Sequence, residues 1–286
     1  MELTELDADL LNAVQWSFPL TATPYADLRL PDGTRFHAVL APLARPGTVI
    51  SLRVPRTTVF SVAELVGSGT ISDDVARLLV AIVEARLAFL VSGGTGTGKT
   101  TLLAALLSRV DPGERIVLVE DASELRPDHP HVVALEGRPA NIEGAGAVEL
   151  RTLVRQALRM RPDRLVVGEV RGAEVVDLLA ALNTGHEGGC GTLHANSAVD
   201  VPARIEALAL AAGLGRGAAH SQLASAVDVV VHLARGPDGR RQVRQIAVPG
   251  RRADGYVEMA SALDVDDRGR GAPGPGAGVL AALLGT

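Results

Sequence analysis

The sequence predicts an α/β fold built on a mainly parallel sheet, preceded by a short α+β N-terminal domain. Between about residues 73 and 264, short apolar runs alternate with segments of helical periodicity, the pattern of parallel strands joined by crossover helices. Before about residue 62, short alternating runs are separated by turn residues, as in antiparallel strands. The 286 residues are 47% hydrophobic and 21% charged, which provides enough apolar material for a folded core.

Four segments are expected along the chain. In the first, Tyr25–Leu30 and Thr34–Leu40 flank the turn Pro31-Asp32-Gly33 and predict a hairpin, and Thr48–Val54 predicts a further strand. The last is rich in glycine and proline and is predicted to be disordered. The segments are the N-terminal domain (1–62), a linker (63–72), the main α/β domain (73–264) and the tail (265–286).

The main domain is expected to contain buried strands and the helices that connect them. Each predicted strand is a short, nearly continuous apolar run, as is typical of strands covered on both faces. The predicted strands are Leu87–Val91, Arg115–Glu120, Arg164–Gly168, Gly191–His194 and Val227–Leu233. The predicted helices are Asp73–Arg86, Lys99–Arg109, Ala147–Met160, Ala173–Leu182 and Val201–Ala212.

One predicted helix has a basic face. Within Ala147–Met160 the apolar residues recur at intervals of three and four, and Arg151, Arg155 and Arg159 recur every four residues on the opposite side. Two interpretations stay open. The arginines are either a solvated face or a surface that meets phosphates or an acidic neighbour.

Composition argues against several classes of protein. A net charge of −5 disfavours general nucleic-acid binding, and 2% aromatic residues leave few platforms for stacking bases. The one cysteine, Cys190, excludes a disulfide framework and fits a reducing compartment. The acidic start of the sequence does not resemble a signal peptide, and no uncharged apolar run reaches the ~18 residues of a membrane span.

A glycine-rich segment has the pattern of a phosphate-binding loop. It fits G-x-x-x-x-G-K-[ST], follows a buried strand and precedes a helix. Glycines let backbone N–H groups turn toward phosphates, and the helix N-terminus adds partial positive charge. The loop and its first helical residues are Gly93, Gly94, Thr95, Gly96, Thr97, Gly98, Lys99, Thr100 and Thr101.

The lysine content supports a site for ATP and Mg²⁺. Lysine and arginine together number 28, and the only lysine in the sequence is Lys99. A compact ammonium fits between the β- and γ-phosphates, where the planar fork of arginine would not. Lys99 is therefore expected to bind these phosphates, and the Thr100 hydroxyl is expected to bind Mg²⁺.

Two predicted strands end in carboxylates. Glu169 follows one strand, and Glu120 with Asp121 closes another. Because ligands bind at the carboxyl ends of parallel strands, both are expected opposite the phosphates. Glu169 is predicted to help hold Mg²⁺, partly through water, and with Glu120 to orient the attacking water. Strand-end acids that merely face solvent are the alternative.

His186, Cys190 and His194 are spaced by four residues in a glycine-rich segment. The intervening glycines argue against a helix that would align them, and a strand would spread them over about 13 Å at ~3.3 Å per residue. A single zinc site is therefore disfavoured. The alternatives are a structural histidine pair, or a strand and loop that sense the γ-phosphate.

Together these segments resemble the ATPases of type II and type IV secretion systems, and among them the tight-adherence (Tad) pilus, or CpaF-like, branch. Four family signatures occur: Walker A (93–100), the Asp box (120–124), Walker B (164–169) and the His box (185–196). The resemblance covers about residues 25–250. Members usually have a longer region before the segment that matches Tyr25, so the N-terminal domain is expected to be reduced here.

The resemblance implies a RecA-like P-loop core that hydrolyses ATP and converts the energy into movement. It also implies a homo-hexameric ring in the cytoplasm, held at the inner face of the cytoplasmic membrane by platform proteins of a pilus or secretion system. By motif, Asp121 and His186 are expected to bind nucleotide, and His194 to act in catalysis. Arg35 and Arg53 match N-terminal arginines that reach toward the γ-phosphate and are also expected in catalysis.

Two other functions are considered. A conjugative DNA-transfer ATPase of the same superfamily is favoured by residues 235–252, which include six arginines and one aspartate. The acidic chain and its few aromatic residues disfavour direct DNA binding. A nucleotide-gated scaffold with negligible turnover is disfavoured because both Lys99 and Glu169 are present.

Overall fold

The small N-terminal unit is an antiparallel sheet. The computed structural model describes residues 24–30, 33–54, 59–138, 140 and 145–285, divided into units at 1–58 and 59–286. The strands of the first unit, in the order β1-β2-β3, are Tyr25–Arg29 (β1), Arg35–Val39 (β2) and Val49–Arg53 (β3). The predicted hairpin and third strand are confirmed, and Pro31 and Asp32 of the predicted turn lie outside the described residues.

The second unit is built on a nine-stranded sheet of order β12-β11-β10-β9-β4-β8-β7-β5-β6. The six strands from β9 to β6 are parallel, and β10, β11 and β12 extend the sheet antiparallel. They are Phe89–Gly93 (β4), Ile116–Glu120 (β5), Val132–Glu136 (β6), Arg164–Val170 (β7), Cys190–Leu193 (β8), Val229–Arg235 (β9), Arg241–Arg251 (β10), Val257–Val265 (β11) and Gly271–Pro273 (β12).

Helices cover both faces of this sheet. Side chains alternate along the strands, so Phe89 and Val91 of β4 join one apolar layer and Leu90 joins the other. The first layer includes α1, α2, α3 and α8, and the second includes α4 to α7. The helices are Val62–Gly67 (α1), Asp73–Glu84 (α2), Lys99–Leu107 (α3), Leu150–Ala157 (α4), Glu174–Leu182 (α5), Val201–Ala211 (α6), Arg216–Ala226 (α7) and Ala277–Leu284 (α8). The predicted α/β class with a mainly parallel sheet is confirmed.

The Gly/Pro-rich tail differs from its prediction. It is not disordered, because it contains β12 and α8, and Leu280 of α8 is buried in the core. Its glycines allow close packing against β11: a Cβ on Gly276 would lie 2.9 Å from the carbonyl oxygen of Ala260, and one on Gly274 would overlap the carbonyl oxygen of Ser261. Composition alone did not distinguish glycine that permits contact from glycine that confers flexibility.

Two arginines of the predicted basic face meet an acidic neighbour. Arg151 and Arg155 of α4 donate from Nε to the two carboxylate oxygens of Asp177 in α5, at 2.7 and 2.8 Å. The interpretation as a surface with an acidic neighbour is confirmed for these two residues. These two hydrogen bonds join α4 to α5 on one face of the sheet.

Candidate nucleotide site

The P-loop leaves the carboxyl end of β4 and leads into α3. Its backbone requires glycine, since φ is 149° at Gly93, 71° at Gly96 and 99° at Gly98. A Cβ on Gly93 would overlap the carbonyl oxygen of Leu233 in β9. The loop is therefore closed against β9, and its glycines let backbone N–H groups turn toward a phosphate.

Lys99 begins α3 and is only 8% exposed. Its ammonium donates to the carbonyl oxygens of Gly93 and Gly94, both at 3.0 Å. Burial lowers the pKa of Lys99, the Glu169 carboxylate opposes this shift, and the Arg171 guanidinium adds to it. Charged phosphate oxygens are stronger acceptors than the two carbonyls, so the residues present fit the binding of a nucleoside triphosphate.

The other loop residues differ in exposure. Thr97 is buried and its hydroxyl donates to the Gly94 carbonyl oxygen at 2.9 Å, which stabilises the turn. Thr95 is exposed, and Thr100 and Thr101 are half-buried in the first turn of α3. The Thr100 hydroxyl is of the type that binds Mg²⁺ together with phosphate oxygens.

Glu169 lies near the end of β7, which is separated from β4 by β8. Its carboxylate pairs with the guanidinium of Arg171, and this hydrogen bond raises the pKa of Arg171. The turn after β7 is held by Glu174, whose Oε1 accepts the backbone N–H groups of Arg171 and Gly172 at 2.6 and 2.7 Å. Strand β7 on one side, and the turn held by Glu174 on the other, therefore fix the position of Glu169.

Glu120 ends β5 with its side chain buried, only 4% exposed. Its Oε1 accepts the backbone N–H groups of Glu124 and Leu125 at 3.1 and 3.0 Å, and its Oε2 is buried with no hydrogen-bond partner among the described residues. Burial raises the pKa of Glu120 to about 7, although the two N–H groups act to lower it. Glu120 therefore stabilises the Asp-box segment and is partly protonated at neutral pH. Asp121 beside it is exposed and acts electrostatically on Arg171.

The His-Cys-His segment spans β8 from end to end. Cys190 is buried in the strand, and burial raises the pKa of its thiol to about 12. His194 follows the carboxyl end, at the edge that carries the P-loop. His186 precedes the amino end, with Nδ1 3.2 Å from the carbonyl oxygen of Ala181, and its contact with nucleotide stays a prediction. Within the described part of the chain, no three His, Cys, Asp or Glu residues are grouped to hold a metal ion.

Arg35 and Arg53 belong to the N-terminal sheet. They are opposite each other in β2 and β3, and both are exposed. A nitrogen of Arg35 lies 3.7 Å from a carboxylate oxygen of Asp27. Their approach to the γ-phosphate stays a prediction.

His232 and Arg235 border the P-loop, although no sequence motif marked either of them as a residue of this site. His232 of β9 is buried, with Nδ1 2.9 Å from the hydroxyl of Ser92, the residue before Gly93. Arg235 donates from Nη2 to the carbonyl oxygen of Gly96 at 2.9 Å. The sequence feature that could have identified His232 is its single polar ring within the otherwise apolar run VVVHLA.

The family profile described as "Type II/IV secretion system protein" matches residues 2–267. The chain belongs to this family. This membership confirms the predicted resemblance to the ATPases of type II and type IV secretion systems, and the RecA-like P-loop core is the fold that the chain shares with a solved VirB11 ATPase.

Similar proteins of the type II/IV secretion family are named for conjugation and type IV secretion. The chain is 61% identical over 232 residues to a putative conjugal transfer protein of Mycobacterium tuberculosis, covering 81% of this chain and 66% of that protein. It is 35% identical over 255 residues to the type IV secretion system protein PtlH of Bordetella pertussis, covering 78% and 74%. The crystal structure of the VirB11 ATPase from the Brucella suis type IV secretion system, in complex with sulphate, is 28% identical, with a TM-score of 0.55 and coverage of 79% and 74%.

The chain spans about two thirds of the length of its mycobacterial relative.

Among the helices that the structure describes in this secretion-family member, none has both the length and the apolar character needed to cross a bilayer.

Proposed function

We propose that this chain is a Mg²⁺-dependent ATPase that hydrolyses ATP to ADP and phosphate to power pilus assembly or secretion. The observation that supports this most directly is the buried ammonium of Lys99, the only lysine of the sequence, inside a glycine cradle. Strands β5 and β7 end in carboxylates at the same edge of the sheet. A phosphate site opposite carboxylates is the arrangement that phosphoryl transfer requires.

Binding of the triphosphate falls to the P-loop. Lys99 exchanges its two carbonyl acceptors for oxygens of the β- and γ-phosphates, and the loop N–H groups bind the remaining phosphate charge. Thr100 and Glu169 would hold Mg²⁺, the latter partly through water, and Asp121, which acts electrostatically on Arg171, would contribute to nucleotide binding. When bound, Mg²⁺ neutralises charge that develops on the phosphates.

Hydrolysis is assigned to residues at the ends of β5, β7 and β8. Glu169 orients the attacking water, and this requires its carboxylate to leave the guanidinium of Arg171. Glu120 assists, because a carboxyl group with a pKa of about 7 can accept a proton at neutral pH. His194, after β8, senses the γ-phosphate. The similarity of this chain to proteins named for type IV secretion supports work in a secretion system. A Tad-like homo-hexameric ring, held at the membrane by platform proteins, is proposed from the four sequence signatures.

A conjugative DNA-transfer ATPase is the second candidate. The name of the 61% identical mycobacterial relative favours it. The arginines of 235–252 support it less than their number suggests, because Arg235 donates to the P-loop carbonyl of Gly96 and Arg244 to Asp267 at 2.7 Å. Stimulation of hydrolysis by added DNA would favour this candidate.

Two substitutions test the proposed chemistry. Lys99→Ala should weaken MgATP binding by about 10- to 100-fold, because the phosphate charge loses its cation. Glu169→Gln should keep ATP affinity and lower kcat by about 100-fold or more, because only the water-orienting carboxylate is lost. Phosphate release and nucleotide titration measure the two effects, with the exposed Glu258→Gln as a control. Hydrolysis by Glu169→Gln at the parent rate would contradict the role given to Glu169, and an inactive parent would favour the scaffold.

A further inference from the structure

The hairpin formed by β9 and β10 lies against one side of the P-loop. At the start of the loop, Gly93 pairs with Leu233 of β9, and a Cβ on Gly93 would overlap the carbonyl oxygen of Leu233. At the other end of the loop, a Cβ on Gly98 would lie 3.5 Å from Cδ of Arg241 in β10. The hairpin therefore contacts both ends of the loop, and its side chains can reach the backbone between them.

Arg235 connects this hairpin to the middle of the loop. Its guanidinium donates from Nη2 to the carbonyl oxygen of Gly96 at 2.9 Å, and from Nη1 to that of Gly239, in the hairpin turn, at 3.3 Å. The turn itself is closed, because the N–H of Gly236 donates to the carbonyl oxygen of Arg240 at 2.8 Å and the N–H of Gly239 donates to that of Gly236 at 2.9 Å. One side chain thus joins the P-loop to a closed turn.

The partners of Arg235 differ from those of other arginines in residues 235–252. Three of those arginines pair with aspartates: Arg240 with Asp238 at 3.3 Å, Arg244 with Asp267 at 2.7 Å and Arg252 with Asp254 at 3.0 Å. The hydrogen bonds that the structure gives Arg235 go instead to two carbonyl oxygens, one of them in the P-loop. The basic segment therefore contains a side chain directed at the nucleotide site.

The bond from Arg235 to Gly96 fixes the direction of one N–H group of the loop. Gly96 admits the guanidinium because it has no side chain, and a Cβ there would lie 3.3 Å from Nη2. A trans peptide is planar, and its C=O and N–H point in opposite directions. Since the Gly96 carbonyl oxygen is held toward the hairpin, the N–H of Thr97 points away from it. P-loops bind phosphates through such N–H groups, so a fixed peptide plane orients a donor in advance.

Nucleotide binding makes this bond more important. Lys99 donates to the carbonyl oxygens of Gly93 and Gly94 and, under the proposed function, exchanges them for phosphate oxygens. The Thr97 hydroxyl still holds the Gly94 carbonyl oxygen from within the loop, at 2.9 Å. Arg235 holds the loop from β9 and does not have to change its partners when phosphate binds.

We propose that Arg235 is a positioning residue for nucleotide phosphates, which holds the Gly96–Thr97 peptide so that the Thr97 N–H faces the phosphates common to ADP and ATP. This inference rests on the proposed function of the site. Arg235 acts through the loop backbone and not on the γ-phosphate. Its loss should weaken the binding of both nucleotides by the same factor and leave the chemical step unchanged.

Arg235→Ala removes the guanidinium and both of its hydrogen bonds. The Kd of MgADP and that of a non-hydrolysable MgATP analogue should each rise about 5-fold, as expected for the loss of a charged donor, and kcat at saturating ATP should stay within about twofold of the parent. Arg235→Lys keeps the charge on a chain that is one bond shorter and lacks the second arm, so its Kd values should resemble those of Arg235→Ala. Isothermal titration and phosphate release measure these effects.

Arg240→Ala is the matched control, since it removes the same charge from the same hairpin, where Arg240 pairs with Asp238 and not with the P-loop. Both of its Kd values should stay within about twofold of the parent. Parent-level affinity in Arg235→Ala or Arg235→Lys, or an equal loss of affinity in Arg240→Ala, would overturn the inference. A fall in kcat with unchanged affinity for MgADP would also overturn it, because Arg235 would then act at the γ-phosphate.

A crystal structure of Arg235→Ala without nucleotide gives a reading that depends on neither binding nor turnover. The Gly96–Thr97 peptide should be rotated or occupy more than one orientation in this variant, and keep the parent orientation in Arg240→Ala. The parent orientation alone in Arg235→Ala would overturn the inference. If the parent binds neither nucleotide, the proposed function fails, and this comparison still decides whether Arg235 orients the peptide.

Discussion

Glu120 shows how strongly burial can act on a single residue. Folding removes its carboxyl group from water and provides two backbone donors to one oxygen, whereas the other oxygen has no partner in the part of the chain that the structure describes. The cost of leaving a charged oxygen without a partner exceeds the gain from the two donors, so the pKa rises to about 7. The carboxyl group also packs on Gly168, where a Cβ would lie 2.5 Å from Glu120 Cγ. The residue before Glu169 must therefore remain small.

The stability of the second unit, which contains the P-loop, should depend on the ionisation of Glu120. The folded-state pKa of about 7 lies above the ordinary pKa of 4.5 for a glutamate, so the stabilisation from proton binding is fully present below pH 4.5 and is lost as the pH rises through about 7. Glu120→Gln stays neutral. It should raise the free energy of unfolding by about 3 kcal/mol near pH 8 and by little near pH 4. Denaturant titrations at both pH values measure this.

Glu258→Gln on the exposed face of β11 serves as the control for this measurement, because its carboxyl group is in contact with water. A gain in stability for Glu120→Gln that is the same at both pH values would show that ionisation is not its cause.

The turn from β7 to α5 illustrates how one side chain orders a whole element. Glu174 is buried at the start of α5, and its Oε1 accepts two successive backbone N–H groups. Glu174→Ala would leave these donors without partners, at a cost of about 1–3 kcal/mol in the free energy of unfolding. Because the turn carries Arg171 and follows Glu169, kcat should also fall about 10-fold, with ADP affinity retained.

Glutamine is the sharper variant at position 174. Its single carbonyl oxygen can occupy the place of Oε1 and accept both N–H groups, so Glu174→Gln should restore most of the parent kcat and thermal midpoint. Steady-state kinetics and thermal unfolding of the two variants provide the test. If Glu174→Gln lowers kcat and the thermal midpoint as much as Glu174→Ala does, the turn requires the charge of Glu174 rather than its role as a hydrogen-bond acceptor.

A buried ion pair stabilises the edge of the sheet at which the parallel strands begin. Arg164 at the start of β7 is 2% exposed, pairs with Glu114 at 2.5 Å and donates to the Val83 carbonyl oxygen at 3.0 Å. A Cβ on Gly188 would overlap its guanidinium, and Gly191 lies against the Val167 carbonyl oxygen in the same way. These glycines of the His box are required by packing around β8, and His194 follows the end of that strand at the P-loop edge.

The proposed hexameric ring predicts how specific activity depends on protein concentration. A ring interface is heterologous and closes by rotation. If arginines of one subunit reach the phosphates of the next, dilution removes them and the transition state loses charge stabilisation. Specific activity should therefore rise steeply with protein concentration, and ATP analogues should favour a hexamer in sedimentation. A monomer with concentration-independent turnover would contradict the ring.

Mixing experiments determine whether Arg53 acts on its own subunit or on a neighbour. Arg53→Ala should lower kcat more than ATP affinity. Mixed rings of Arg53→Ala and Glu169→Gln subunits should recover some activity if the arginine acts in trans, because some sites then have both residues. No recovery is expected in cis, since every site has one defect. Arg252→Ala, an exposed arginine in the turn between β10 and β11, is the control.

Sequence patterns alone predicted the fold class, five of the six parallel strands and the position of the P-loop, but not the parallel strand β6 or helix α7. These features depend on short-range patterns: apolar runs for β4, β5 and β7, and glycine with Lys99 at a set spacing. The antiparallel extension was missed because β10 and β11 are long, partly exposed strands whose polar residues interrupt a simple pattern. The tail was misjudged because composition does not report which surface a glycine packs against.

Only the tertiary structure decided which residues surround the P-loop. The bond from His232 to Ser92 spans 140 positions of the sequence, and so does the pairing of strands that produces it. The direction in which the Glu120 carboxyl turns and the distance of His186 from the P-loop edge likewise depend on β5 and β8 being placed in the sheet. Local patterns select which residue types can do chemistry, whereas contacts between distant strands determine their burial, partners and ionisation.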